Sequence, residues 1–341
     1  MAGAKVSEEI AALTKADDVT AADKEAIEKA RKAYDALTDA QKKLVSADAL
    51  KKLTDTEATL KDLTDTAAAK EVADAINKLP ANDKVATTDK AAIEAVRKAY
   101  DALTADQKKK VSADTLKKLE EAENALEIAE AKDKAAKELA AAKKAAQAAM
   151  NSEVKVTVKG KKIKVQWTKS SSADGYDVYV QYCGKKITKP VKTIKKNSTT
   201  KTTIKKINGK KLNLKKQFRV YVVAYKMIGG KKVTLAKSNT GHVVGTKNKK
   251  YTNVKSIKLT KKAYTIAVGK TAKVKAKIKL VDKNKKHIPK SHGAKFRYRT
   301  SDSSIATVSK SGKIKGIKKG TCTIYVYAIN GKMKKAKVTV E

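Results

Sequence analysis

Chemically versatile side chains are scarce in this sequence of 341 residues, which has two Cys, three His, one Trp, two Phe and three Pro. Cys183 and Cys322 are too far apart in the chain to form a CxxC pair, and two cysteines make no disulfide framework. Both read as small, buried apolar side chains in strands. His287 and His292 lie near each other in a Pro-containing loop, without Cys or acidic company, and His242 stands alone near a strand. Without further ligands beside them in the sequence, none of the three is read as a metal site. The loop Asp282-Lys-Asn-Lys-Lys lacks the acidic residues that recur at odd positions in a calcium loop. Aromatics make up 4% of the chain, too few for a large aromatic-lined pocket. No catalytic, metal-binding or cofactor-binding residue is assigned, no cofactor is expected, and the chain is not read as an enzyme.

Long apolar runs are also missing. No stretch approaches the eighteen residues of a membrane-crossing helix. The opening Met1-Ala2-Gly3-Ala4-Lys5-Val6-Ser7-Glu8 has no apolar core of a secretory signal, which suits an intracellular protein or a mature or trimmed fragment. No sortase-type Leu-Pro-x-Thr-Gly occurs.

What is abundant is lysine, unevenly placed. Residues 1–150 hold 27 basic and 29 acidic side chains, whereas 151–341 hold 52 basic and 6 acidic ones. Only Gly3 of the fifteen glycines lies in the first part. Such a step marks a change of architecture near Met150–Asn151 and an anionic partner for the second part.

The first part repeats itself. Ala26–Thr38 recurs as Ala92–Thr104, an offset of 66 that also carries Ile10 onto Ile76, Val19 onto Val85, Gln41 onto Gln107 and Leu53 onto Leu119. Ile27, Ala30, Tyr34 and Leu37 form one stripe of an α-helix, so Tyr34 and Tyr100 are read as core residues. Thr38-x-x-Gln41 and Thr104-x-x-Gln107 fit capping boxes. Each copy is expected to be a bundle of about three helices, the last running on because no Gly or Pro intervenes before Pro80. Ala113–Met150 also lacks both, and as one helix it would extend about 55 Å as a stalk. The carboxylates here are read as members of solvated ion-pair faces.

After Met150 the apolar period changes to two. Strands are expected at Val154–Val158, Ile163–Trp167, Tyr176–Tyr182, Phe218–Tyr225, Val254–Leu259, Ala272–Val281, Cys322–Ala328 and Ala336–Val340. Gly245–Asn253 reads as the linker between two β-sandwiches.

Three resemblances follow. Residues of about 152–247 resemble a fibronectin type III domain, carried by Trp167, by Gly175-Tyr-Asp-Val-Tyr-Val180 and by Leu212-x5-Phe218-Arg-Val-Tyr-Val-Val-Ala-Tyr225. Phe218 stands where that family has its corner tyrosine, so the hydroxyl's hydrogen bond would be missing. Residues of about 254–341 resemble a bacterial immunoglobulin-like domain of group 2, through Tyr298–Val308, Gly312-Lys-Ile-Lys-Gly316 and Gly320-Thr-Cys-Thr-Ile324, with Tyr298 at a position where that family commonly has Trp. The helical copies are similar to repeats found beside such domains in Gram-positive surface proteins. The resulting plan is multidomain: helical-bundle repeats at 1–66 and 67–150, a fibronectin-like sandwich at 151–247 and an Ig-like sandwich at 248–341. The resemblances imply an extracellular, bacterial cell-surface location and a non-catalytic role.

Lysines fall at outward strand positions, as in Lys159, Lys161, Lys162 and Lys164, and again in Lys273, Lys275, Lys277 and Lys279. Solubility and protection of sheet edges explain their spacing. They do not explain the single sign, because mixed Lys and Glu would serve both purposes without self-repulsion. The eight are therefore assigned to anionic cell-envelope or host polymers. No motif for sequence-specific nucleic-acid recognition is present. The reading is a surface adhesion or binding protein that displays its helical repeats for protein contact. Two alternatives remain, a host-protein binder such as an immunoglobulin-binding protein and accessory modules of a larger surface enzyme.

Overall fold

The computed structural model describes residues 2–150 and 153–341. Residues 1–136 and 137–341 form two compact units. The expected boundary at Met150–Asn151 falls partly on residue 151, outside the described residues.

The first unit is helical. Its elements are α1 (Ala2–Ala11), α2 (Lys24–Asp35), α3 (Asp39–Lys42), α4 (Ala47–Asn77), α5 (Lys90–Ala102), α6 (Ala105–Lys110) and the first part of α7 (Ala113–Met150). Both capping boxes form. Thr38 Oγ1 accepts from the Gln41 amide at 3.3 Å while Gln41 Oε1 accepts from the Thr38 amide at 3.0 Å, and Thr104 with Gln107 repeats both bonds. α4 serves two cores. Its start gives Ala49 and Leu53 to the core of Val6, Ile10, Ile27 and Leu37, and its end gives Ala69, Val72 and Ile76 to that of Ile93, Leu103, Leu119 and Leu126. Each core thus lies among three helices, and residues 66 and 67 stand inside the shared one.

The 66-residue offset extends to the surface. Arg31 donates from Nε and Nη2 to the two carboxylate oxygens of Glu57, and Arg97 binds Glu123 the same way with two bonds of 2.6 Å. Tyr34 and Tyr100 are half-buried against their cores, with Arg31 and Lys42 over one ring and Arg97 and Lys108 over the other.

In the second unit the end of α7 is no free stalk. Ala146 and Met150 are at most 1% exposed and share a core with Val156, Trp167, Tyr176 and Phe218. The first sandwich comprises β1 (Lys155–Lys159), β2 (Lys162–Gln166), β3 (Gly175–Tyr182), β4 (Lys192–Ile194), β5 (Lys201–Ile204), β6 (Lys206–Ile207), β7 (Lys210–Lys211), β8 (Gln217–Ile228), β9 (Lys231–Lys237) and β10 (Gly241–Val244). One sheet is ordered β1-β2-β5, and the facing one runs β10-β8-β3-β4 with β9 also on β8. Phe218 is fully buried against Tyr182, with ring centroids 5.1 Å apart. Tyr182 supplies the hydroxyl that Phe218 lacks, because its Oη accepts from the Asn213 amide at 2.9 Å and ties down the loop before β8.

The second sandwich follows as β11 (Tyr251–Thr252), β12 (Val254–Leu259), β13 (Ala263–Ile266), β14 (Thr271–Lys273), β15 (Ala276–Leu280), β16 (Lys286–His287), β17 (Phe296–Thr300), β18 (Ala306–Val308), β19 (Lys313–Gly316), β20 (Gly320–Ala328) and β21 (Met333–Val340). The larger sheet is ordered β13-β21-β20-β17, and β14-β19-β18 and β12-β15 lie apart from it. The single strand expected over Ala272–Val281 is two strands. β14 pairs with β19 and β15 with β12, so the chain changes sheets at Val274–Lys275. Inward and outward positions keep alternating through that change, which is why the sequence pattern reads as continuous.

The Gly245–Asn253 linker is tied at both ends. The Gly245 amide donates to Lys216 O, Asn253 brackets the Val244 peptide with bonds of 2.8 and 2.7 Å, and Tyr251–Thr252 lies parallel to β16. The β20–β21 turn presses on the first sandwich, where Asn330 O accepts from Val156 N and Ile329 O from His242 N, each at 2.9 Å. Gly331 has φ +76, and a Cβ there would lie 2.1 Å from Val154 O, so no other residue fits without moving the backbone. Beside this turn Arg297 clasps Glu153, a carboxylate whose side chain is 2% exposed and which also accepts from Asn239 at 2.9 Å.

Candidate functional site

Alternation in the strands puts the lysines outside while Val and Ile face inward. In β2, Lys162 and Lys164 are exposed and Ile163 and Val165 are buried. Lys159 and Lys162 stand directly opposite each other. Lys161 departs from the expected strand position, since it occupies the exposed turn Gly160–Lys161 between them. The other four assigned lysines are all exposed, with Lys273 in β14, Lys277 and Lys279 in β15, and Lys275 at the sheet change.

Lysine faces lysine repeatedly. Besides Lys159 and Lys162, the directly opposed pairs are Lys206 with Lys211, Lys258 with Lys277, and Lys273 with Lys313. Like charges opposite each other on one face of a sheet are destabilising by a few tenths to about 1 kcal/mol. The acidic side chains of this region are committed elsewhere. Glu153, Asp177 and Asp282 pair with Arg297, Lys232 and Lys285, and Asp174 and Asp302 accept from the backbone amides of Met227 and Ser304. Among the described residues, Glu341 is the one acidic side chain of this region without such a partner.

Some lysines converge on a concavity. A groove of about 530 Å³ is lined by Lys161, Lys162, Lys205, Lys206, Lys211, Lys215 and Lys247 together with Leu212, Asn213 and Leu214. Of the eight assigned residues, Lys161 and Lys162 line it, Lys159 stands opposite Lys162, and Lys164 lies two positions along the same strand face. The Lys273–Lys279 series belongs to the other sandwich and does not line it. The groove is not legible in the sequence because residues 205–206, 211–215 and 247 reach it through tertiary packing, although Lys205-Lys206 and Lys211 carry its charge.

A second cluster also escaped the sequence reading. His242 does not stand alone, since its Nδ1 is 3.6 Å from Cys183 Sγ and its ring meets that of His292 edge-on with centroids 5.7 Å apart. Cys183 is half-buried in the turn after β3, whereas Cys322 is buried within β20 as expected. Burial pushes the Cys183 thiol up to about 11. Burial, then the nearby charges of His292, Arg297 and Arg219, draw His242 down to about 4. His287 points elsewhere, in β16.

Comparison with known proteins places one of these modules. Residues 253–340 match the family described as bacterial Ig-like domain (group 2). No curated protein matches the chain. Among solved structures, domains 4 and 5 of the S-layer protein SbsC align with 36% of this chain and 64% of their own, at 20% identity and a TM-score of 0.21. The fibronectin(III)-like modules of Clostridium thermocellum CbhA align with 55% of this chain and 94% of theirs, at 14% identity and 0.20. A C-terminal intimin fragment, solved with the intimin-binding domain of its translocated receptor, aligns at 15% identity over 56% and 64%, with 0.19. The chain spans less than two thirds of the S-layer chains it matches, at 64% and 58%. The described part of the chain is therefore helical repeats followed by two β-sandwiches, the second similar to a bacterial Ig-like domain. Among the described residues, no helix is long and apolar enough to cross a membrane.

Proposed function

We propose that this chain is a non-catalytic part of a bacterial cell-surface protein, in which the lysine-coated sandwiches hold an anionic polymer of the envelope or host and the helical repeats are offered to proteins. The observation that carries the reading is the set of directly opposed lysine pairs, together with the seven-lysine groove and the commitment of nearby carboxylates to other partners. Repulsion between the paired ammonium groups is relieved when a polyanion lies across them, so charge that costs stability in the free chain becomes affinity in the complex. The helical unit, with nearly balanced charge, exerts no comparable pull.

Titration of the full chain with teichoic acid or heparin across a salt series tests this. Affinity should fall steeply with salt, because each neutralised phosphate or sulfate releases counterions. Single Lys→Ala changes should matter little, as exposed ion pairs are worth about 0–1 kcal/mol. Reversing Lys161, Lys162, Lys206 and Lys211 together to Glu should weaken binding far more, as should reversing Lys273, Lys275, Lys277 and Lys279. Salt-independent binding, or binding indifferent to both quadruple reversals, would overturn the reading and leave the lysines as a solubility coat.

A further inference from the structure

Cys183, His242 and His292 come from three separate elements and meet where the two sandwiches join. Cys183 and His242 belong to the first sandwich, and His292 ends the single 3-10 turn Lys290–His292 of the second. One potential ligand atom from each lies within 4.8 Å of the other two. A thiolate sulfur and an imidazole nitrogen bound tetrahedrally to one zinc ion, at about 2.3 and 2.1 Å, stand about 3.6 Å apart. The observed separation of Cys183 Sγ and His242 Nδ1 is 3.6 Å. Two nitrogens on the same ion stand about 3.4 Å apart, so His292 has to move by no more than about 1.4 Å.

The backbone at each position is already held. The Cys183 amide donates to Gln217 O and the His242 amide to Ile329 O, each at 2.9 Å, and the His292 amide donates to Pro289 O at 3.1 Å. All three side chains are half-buried, and a tetrahedral ion held by them would take its fourth ligand from water. One thiolate and two imidazoles form a borderline-soft set that suits zinc-class ions and not calcium or magnesium. Arg219 and Arg297 add positive charge nearby, and the negative charge of the bound thiolate partly offsets it.

We propose that Cys183, His242 and His292 bind one zinc-class divalent cation, and that the ion clips the first sandwich to the Ig-like sandwich. On binding, the metal–sulfur bond forms as the thiol proton leaves to solvent, with no change of oxidation state. This inference is independent of the polyanion reading.

The test uses the full chain, kept reduced and titrated with Co2+ alone. One equivalent should produce thiolate-to-cobalt charge-transfer absorption and the intense visible bands of a tetrahedral ion, and Zn2+ should bleach both. Cys183→Ser should abolish the charge-transfer band and Cys322→Ser should leave it intact. His292→Ala, a change in a half-exposed turn, should weaken Co2+ binding at least tenfold with an unaltered circular dichroism spectrum. Zn2+ should raise the thermal midpoint of Trp167 fluorescence in the parent chain but not in the His292→Ala variant. A titration without a charge-transfer band, or binding that survives Cys183→Ser or His292→Ala unweakened, would overturn the proposal.

Discussion

Removing the Met150 side chain tests whether the end of α7 belongs to the first sandwich. Met150 is 1% exposed and Ala146 fully buried, and both pack in the core that contains Trp167. Truncating a buried Met to Ala costs about 2–5 kcal/mol, the spread reflecting how far the cavity collapses. For a unit of this size each kcal/mol moves the thermal midpoint by about 2–4 °C, so Met150→Ala should lower it by at least about 4 °C. Met150→Leu, which nearly conserves volume, should cost less than about 1.5 kcal/mol. Trp167, the one tryptophan of the chain, reports this core selectively in a urea titration, while far-ultraviolet circular dichroism follows the helices. The same reasoning separates two fragments. One starting at residue 137 retains the packed end of α7, and one starting at residue 153 should show a lower Trp167 midpoint. Equal midpoints for the two fragments, together with no shift in Met150→Ala, would refute the placement and restore α7 as a free stalk.

Leu53 and Leu119 are fully buried equivalents in the two helical cores. Leu53→Ala and Leu119→Ala should each destabilise the helical unit by about 2–5 kcal/mol, as measured by urea denaturation. Gly331→Ala should loosen the junction of the sandwiches, since it demands both a positive φ and a Cβ 2.1 Å from Val154 O; faster proteolysis around residues 245–253 is the readout. The Lys61 ammonium holds the Asp65 and Asp106 carboxyls below the usual 3.8. Groups with depressed folded values stabilise above the unfolded value and lose that contribution as pH falls through the folded one, so the helical unit should weaken below about pH 4. Lys61→Met should flatten that acid limb in a pH series of urea midpoints.

Features written in local periodicity could be read before the structure. The 66-residue repeat shows on comparing the chain with itself, and both capping boxes, the continuous α4 and α7, and nine of the twenty-one described strands depend on neighbours within a few residues. The change of sheet at Val274–Lys275 could not be read, because alternation passes through it unbroken. The lysine-rich run at 159–164 reads as strand throughout, whereas Gly160, with φ +54, turns the chain beside Lys161. The end of α7 is dominated by Ala and Lys, and Leu139, Ala142, Ala146 and Met150 acquire a partner only from the sandwich. The meeting of Cys183 with His242 spans 59 positions, and that of His242 with His292 depends on how two sandwiches dock. No short-range pattern encodes either.

The pairing of β13 with β21 gives the Ig-like sandwich a mechanical character. These strands run parallel, with Ala263, Tyr264, Thr265 and Ile266 beside Lys337, Val338, Thr339 and Val340. Once β12 is drawn off β15, tension across the sandwich pulls β13 backward from its N-terminal end and β21 forward from its C-terminal end. The ladder between them is therefore loaded in shear, and its bonds share the force and yield together. A hairpin such as β20–β21, opened from its free ends, parts one rung at a time. A parallel pair loaded in shear stays closed under a sudden tug that would unzip a hairpin of the same length.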